Sequence, residues 1–235
     1  MIRKALVLFI LMLPLAWGQH HRPGSCPGGS CQTQVAFLPA TGSLSVNTVN
    51  GNVSVESWSG SEIMVRTEVH STGQVDIQLS PGNVSVKGPS AAGIQVKIDV
   101  PPFTGLTIAT VNGGIAIHGV ASPIVFNAVN GDASLYGVTG DVTGNAVNGG
   151  IAMAVGGAHW AGQSLAVDTV DGNIEITVPA DCAAHVTASV VGGTIDTDFP
   201  VDIPDGSKHV SFDLGTPGSS AITMSATKGN IQLLW

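Results

Sequence analysis

A short phrase recurs along this chain, in which a small residue and a valine run into Asn-Gly or Asp-Gly and then into an alternating strand. It reads Thr48-Val49-Asn50-Gly51, Thr110-Val111-Asn112-Gly113, Ala128-Val129-Asn130-Gly131, Ala146-Val147-Asn148-Gly149 and Thr169-Val170-Asp171-Gly172. Looser copies stand at Ser189-Val190-Val191-Gly192 and Ala226-Thr227-Lys228-Gly229, and Ser80-Pro81-Gly82-Asn83 reads as a further one. A fixed phrase at a near-fixed period marks a repeat architecture, in which each unit buries its apolar side only by stacking on its neighbours. A repeat is a scaffold, so the phrase constrains the fold far more than the activity.

Counted between the glycines at 51, 82, 113, 131, 149, 172, 192 and 229, the steps are 31, 31, 18, 18, 23, 20 and 37 residues. One coil therefore takes 18 to 23 residues in the middle and C-terminal part. The step of 37 reads as two coils with one unmarked, and the steps of 31 as longer coils or insertions. After each glycine every second residue is apolar, as in Val53/Val55, Ile115/Ile117, Ile151/Met153 and Ile174/Ile176, the pattern of a strand with one buried face. Before the glycine, Leu44 and Val46 are even-numbered, whereas Val49, Val53 and Val55 are odd. That change of parity requires a corner, and Asn-Gly suits one because both residues tolerate positive φ.

Asn-Gly between alternating runs is also a strong hairpin signal, so an antiparallel meander competes with a coil. The coil is favoured because equivalent residues recur at equivalent places. Stacked about 4.8 Å apart, the Asn50-type residues form a hydrogen-bonded ladder and the apolar pairs form columns. The expected fold is all-β, a single-stack parallel β-solenoid (β-helix). A period of six fails through Ala116 to Val125, which disfavours a left-handed hexapeptide coil, so a right-handed one is expected from the usual hand of parallel crossovers. Gln34 to Phe37 and Ile231 to Trp235 are expected to close the two ends, because an open terminal coil exposes an unpaired edge.

Arg3 and Lys4, the apolar run Ala5 to Leu15 and the small residues around Trp17 read as a signal peptide over 1–18, cleaved before Gln19. Residues 19–34 read as a flexible Gly/Pro/Cys-rich segment and 35–235 as the repeat domain. No transmembrane segment is expected after cleavage, and Cys26 follows no lipobox pattern. The expected location is the periplasm, the cell surface or the medium. Loss of Arg3 and Lys4 leaves six basic residues against sixteen acidic ones, a net charge of −10. That balance argues against nucleic acid and anionic lipid as partners. Cys26 and Cys31 enclose a flexible Pro-Gly-Gly-Ser spacer and read as a small disulfide loop, which leaves Cys182 alone. A metal site with His20 and His21 is the competing reading, against a spacing unlike that of zinc fingers.

The recurring Val-Asn-Gly-Gly-Ile and Val-Asp-Gly-Asn-Ile phrases, behind a signal peptide and running to the C-terminus, resemble the bacterial DUF4097 family of adhesin candidates built from β-strand repeats. The resemblance spans about Val35 to Trp235. It implies an envelope or secreted β-solenoid with no established catalytic residues. Pro81, Val191 and Lys228 depart from the pattern where they replace the Asn.

Motifs for chemistry are sparse. The histidines 20, 21, 70, 118, 159, 185 and 209 show no His-x-His or His-Glu-x-x-His spacing. No Gly-x-Ser-x-Gly elbow occurs, and nothing points to a Ser-His-Asp triad. Asp196, Asp198, Asp202 and Asp205 form the densest acidic run and are weak calcium candidates, against a solvated turn; Asp168, Asp171 and Glu175 are a second set. No other cofactor is implied. An enzyme cutting acidic polysaccharide would need convergent carboxylates beside basic residues, yet Arg22, Arg66, Lys87, Lys97, Lys208 and Lys228 are scattered. Trp58 and Trp160, in loop-like Gly/Ser/Ala surroundings, are possible contact points for a glycan or protein, or packing over a loop. The expected function is a non-enzymatic, adhesin-like protein that touches an envelope macromolecule. The alternative is a carbohydrate-active β-helix enzyme or a glycan- or calcium-binding module.

Overall fold

The computed structural model describes residues 20–22, 31–70, 75–89, 93–157, 160–216 and 220–235. The expected signal segment and Cys26 lie outside them. The described regular structure is all β, in an eleven-stranded and a ten-stranded sheet. The N-terminal section carries β1 (His20–Arg22), β2 (Cys31–Pro39), β3 (Ser43–Asn50), β4 (Asn52–Ser57), β5 (Glu62–His70), β6 (Asp76–Ser80), β7 (Asn83–Lys87) and β8 (Gly93–Val100). The middle carries β9 (Gly105–Asn112), β10 (Ile115–His118), β11 (Ile124–Asn130), β12 (Ala133–Val138), β13 (Val142–Asn148), β14 (Ile151–Val155), β15 (Ser164–Asp171) and β16 (Ile174–Thr177). The C-terminal section carries β17 (Ala184–Gly192), β18 (Ile195–Thr197), β19 (His209–Leu214), β20 (Ala221–Lys228) and β21 (Ile231–Leu234).

Each coil places its first strand in the ten-stranded sheet and its second in the other, with a corner between them that is Asn-Gly in β3–β4, β9–β10, β11–β12 and β13–β14. In the middle section neighbouring coils pair parallel and in register: Asn112 with Asn130, Asn130 with Asn148, Ile115 with Ala133, Ala133 with Ile151. The inward residues stack as columns, such as Leu44, Leu106, Ile124, Val142, Leu165 and Ile222, all buried. Each such aliphatic side chain contributes about 1.5–3 kcal/mol on burial. Size varies along a column so that neighbours interlock. Phe126 fills the space that a side chain on Gly144 in the next coil would need, with its Cζ 2.0 Å from where that Cβ would stand.

The corner differs from expectation in three ways, each with a physical cause. Val49 and its equivalents point outward, and Thr48 is the buried residue, so the inward parity persists to Thr48 and changes only at the corner. Thr48 and Thr110 keep their buried hydroxyls satisfied by donating to the carbonyls of Gly51 and Gly113, at 3.1 and 2.9 Å. No non-glycine residue among those described has positive φ, so Asn is not at the corner for its backbone tolerance. The glycines are required by contact: a Cβ on Gly113 would lie 2.1 Å from Gly51 O, and on Gly149 2.2 Å from Gly131 O. Gly82 is not a corner. Ser80 and Asn83 pair antiparallel across a hairpin, with Gly82 at φ 72 behind Pro81, the pattern of a type II turn.

The stacking order is not the chain order. The eleven-stranded sheet runs β1-β2-β5-β8-β4-β10-β12-β14-β16-β21-β18, and the ten-stranded sheet runs β19-β17-β20-β15-β13-β11-β9-β3-β7-β6. The steps of 31 arise because β5 and β6 are antiparallel insertions, paired with β8 and β7. The step of 37 holds no unmarked coil but the antiparallel strand β19, which covers β17. The last strand, β21, therefore lies between β16 and β18 and closes no end. Trp235 stays 62% exposed and packs on Phe199, with ring centroids 5.9 Å apart. At the other end β2 does lie outside the coils, paired antiparallel with β5, and strand structure already begins at Cys31.

Candidate functional site

The outer faces of the two sheets are what this architecture offers to a partner, since the interior is filled by side chains. Along the corner, side-chain amides of neighbouring coils are joined by hydrogen bonds. Asn112 Nδ2 donates to Asn50 Oδ1 at 2.7 Å, Asn130 Nδ2 to Asn112 Oδ1 at 2.8 Å and Asn148 Nδ2 to Asn130 Oδ1 at 2.8 Å. Asp171 pairs next to Asn148 and has no donor to continue the chain of amides. Its carboxylate instead faces Lys228 Nζ at 3.7 Å, an exposed pair that adds little stability. Gly51, Gly113, Gly131, Gly149 and Gly172 form the adjoining column of backbone contacts.

Beside the ladder runs a column of half-buried to exposed valines, Val49, Val111, Val129, Val147 and Val170. Near β7 it borders a shallow depression of about 240 Å³, lined by Asn47, Val49, Lys87, Ala109, Val111 and Asn127 among others. The outer face of the eleven-stranded sheet carries a different row. His118 and Tyr136 occupy paired positions on β10 and β12, their rings 5.4 Å apart and tilted by 38°, with Tyr136 44% exposed. Glu56 is paired with His118 and Asp99 with Glu56, followed by Met64 and then the exposed Phe37. This aromatic and acidic row did not emerge from reading residues singly. Its signal is positional: Glu56, His118 and Tyr136 each stand five residues after a corner glycine.

Trp58 and Trp160 share one arrangement. Each indole folds over the glycine two residues on, Gly60 or Gly162, and both are half-buried. Trp58 Nε1 donates to Glu62 O at 2.9 Å, and Trp160 Nε1 lies 3.5 Å from Gly140 O. The acidic run is split: Asp196 and Asp205 line a depression of about 310 Å³, and Asp198 and Asp202 do not line it. Among the described residues no group of three or more His, Cys, Asp or Glu side chains converges in a geometry that holds a metal ion. Asp168 faces outward on the ten-stranded sheet, and Glu175 on the other, so the second acidic set is divided as well. Cys182 is a buried free thiol, and burial, aided by the Asp181 charge, pushes its pKa up. Among the described residues no helix is long and apolar enough to cross a membrane.

No curated protein matches the chain. Among solved structures, a cell-adhesion candidate protein from Clostridium sporogenes is similar over 87% of this chain and 99% of its own, with a TM-score of 0.55 at 10% identity. An adhesin candidate from Parabacteroides distasonis aligns over 88% of this chain and 98% of its own, with a TM-score of 0.31 at 7% identity. The family model described as Toastrack DUF4097 matches residues 29–234, nearly all of the paired strands. The chain therefore belongs to the Toastrack DUF4097 family.

Proposed function

We propose that this chain is an exported, adhesin-like protein of the cell envelope that works by contact, its outer faces meeting a protein or glycan partner at many points. The observation that carries the reading is the regular repetition of outward side chains, the valine column and the His118–Tyr136 row, on strands held about 4.8 Å apart. Aromatic rings exposed on a rigid sheet bind the apolar faces of sugars at low entropic cost, because the strand already fixes them. Trp58 and Trp160, half-buried and folded over Gly60 and Gly162, add contact only through the part of each ring that is left uncovered. The reading takes the two sheets as the sides of one right-handed coil stack behind a cleaved signal peptide of residues 1–18.

A polysaccharide-cleaving enzyme fits less well. Glu175 and Asp196 share an outer face with Lys97 and Arg66, but β16 and β8 are five strands apart, about 24 Å. Neither Lys97 nor Arg66 therefore stands beside Glu175 or Asp196. The test is a binding screen of residues 19–235 against envelope glycans and peptidoglycan, with calcium or chelator, with new reducing ends assayed in the same samples. Saturable binding weakened by Tyr136→Ala, without new reducing ends, is the expected result. Failure of every envelope fraction to bind, or appearance of reducing ends, sinks the reading. Export is checked separately by fusing residues 1–18 to a reporter that is active only outside the cytoplasm.

A further inference from the structure

Three exposed side chains at the C-terminal end of the ten-stranded sheet stand in hydrogen-bonded series. His185 Nδ1 lies 2.6 Å from Asp213 Oδ1, and Ser211 Oγ lies 3.0 Å from His185 Nε2. The cause is the register of β17 against β19. His185 is opposite Asp213 and Thr187 opposite Ser211 in an antiparallel pair. Val190 N donates to Lys208 O at 2.8 Å, so hydrogen-bonded and non-bonded pairs alternate from that point, and the 187/211 and 185/213 pairs are of the non-bonded kind. Non-bonded pairs approach most closely, at about 4.5 Å between Cα atoms, and the diagonal neighbour on the same face is also in reach. The imidazole thus sits across from Asp213 and diagonal to Ser211.

The proton positions follow from the partners. An ionised carboxylate only accepts, so Nδ1 carries the hydrogen toward Asp213 and Nε2 keeps a lone pair for the Ser211 hydroxyl. We propose that Ser211 is a nucleophile for acyl transfer, with His185 as its general base and Asp213 as the group that orients His185, acting on short-chain acyl esters carried by larger molecules. Ser211 Oγ adds to the ester carbonyl carbon and its proton passes to His185 Nε2. The bond to the alcohol breaks, and the alcohol leaves with that proton. Water then attacks the acyl-serine, gives a proton through His185 back to Ser211 Oγ, and the carboxylic acid departs.

Two features of the surroundings define the substrate. By the same alternation, the backbone N–H of Ser211 points away from β17, toward the edge at which the ten-stranded sheet ends with β19, and there it can meet the carbonyl oxygen as charge develops. The outward neighbours Thr187, Ser189 and Thr223 are short and polar and offer no slot for a long acyl chain. An acetyl-sized group on a polymer that lies along the sheet edge fits this open site. The inference goes beyond the contact reading and stands or falls without it.

The test uses the full chain with a fluorophosphonate probe and with p-nitrophenyl acetate. One label per chain at Ser211, located by peptide mass, is expected, together with continuing release of nitrophenol. Ser211→Ala should abolish both, and His185→Gln should slow both about a hundredfold, within the range of general-base catalysis. Asp213→Asn should slow both at least about tenfold while the melting temperature stays that of the unaltered chain, and Ser189→Ala should change neither. Absence of label at Ser211, label without nitrophenol release, or rates that persist in His185→Gln each overturn the proposal.

Discussion

Asn112 donates a hydrogen bond to Asn50 at 2.7 Å across 62 residues of sequence, while its other partner in the ladder, Asn130, is 18 residues away. The two bonds are equivalent in space because the chain between β4 and β9 leaves the coil, builds β5 to β8 on the outer side, and returns to pair β9 with β3.

The ladder and the glycine column beside it should carry very different weights. Asn130→Ala removes two bonds between exposed amides that water can replace, so a loss of about 1 kcal/mol is expected. Gly149→Ala puts a Cβ 2.2 Å from the carbonyl oxygen of Gly131, a backbone atom that cannot rotate away, and should cost about 3 kcal/mol. Urea denaturation of both variants checks the order. Equal losses would show that the column is not close-packed.

Phe126 and Gly144 should be coupled. Gly144→Ala alone meets the Phe126 ring and destabilises, and Phe126→Leu alone leaves a gap; together they should cost less than the sum of the two. A double-mutant cycle measures the difference. Additive losses would mean that the ring has an alternative position.

Residues 231–235 include β21, an interior strand, so deleting them should open the sheet between β16 and β18 rather than expose a terminal edge. The expected outcome is a marked loss of β circular dichroism and rapid proteolysis of the segment after Gly172. A deletion variant that melts like the full chain would contradict the sheet order.

The buried Cys182 thiol holds its proton above its ordinary value of 9.0, chiefly because burial disfavours the thiolate and secondarily because of the Asp181 charge. The unfolded chain releases that proton earlier than the folded one. The associated stability is therefore fully present below 9.0 and lost as pH rises through the raised native value. Iodoacetamide should react slowly with the native chain near neutral pH, and Cys182→Val should flatten the alkaline part of the stability profile. Rapid native alkylation would show the thiol to be accessible.

Much of this arrangement was legible in the chain. The alternation of Ile115/Ile117 and Ile174/Ile176 specifies strands with one buried face, and the recurrence of Asn at one place in each phrase specifies the amide ladder. Val49 departs from the expected inward parity because an apolar residue next to a corner satisfies either parity, and only the buried hydroxyl of Thr48 distinguishes them. Gly82 stands in a hairpin and not at a coil corner, and the sequence does not separate the two because both draw on the same turn residues. His185, Ser211 and Asp213 carry no motif at all, since their proximity is created by an antiparallel register between strands that 16 residues separate in the chain.

The sequence by itself determined the coil: its strand period, its small-residue corner and the inward and outward set of each strand, because these are local consequences of backbone geometry and side-chain size. Only the tertiary structure decided which coil lies beside which. Every coil presents a similar edge, so local preference cannot choose among them, and the choice fell to the antiparallel insertions that occupy some edges and leave others free. That same nonlocal choice brought β19 against β17, and with it the serine, histidine and aspartate onto one face.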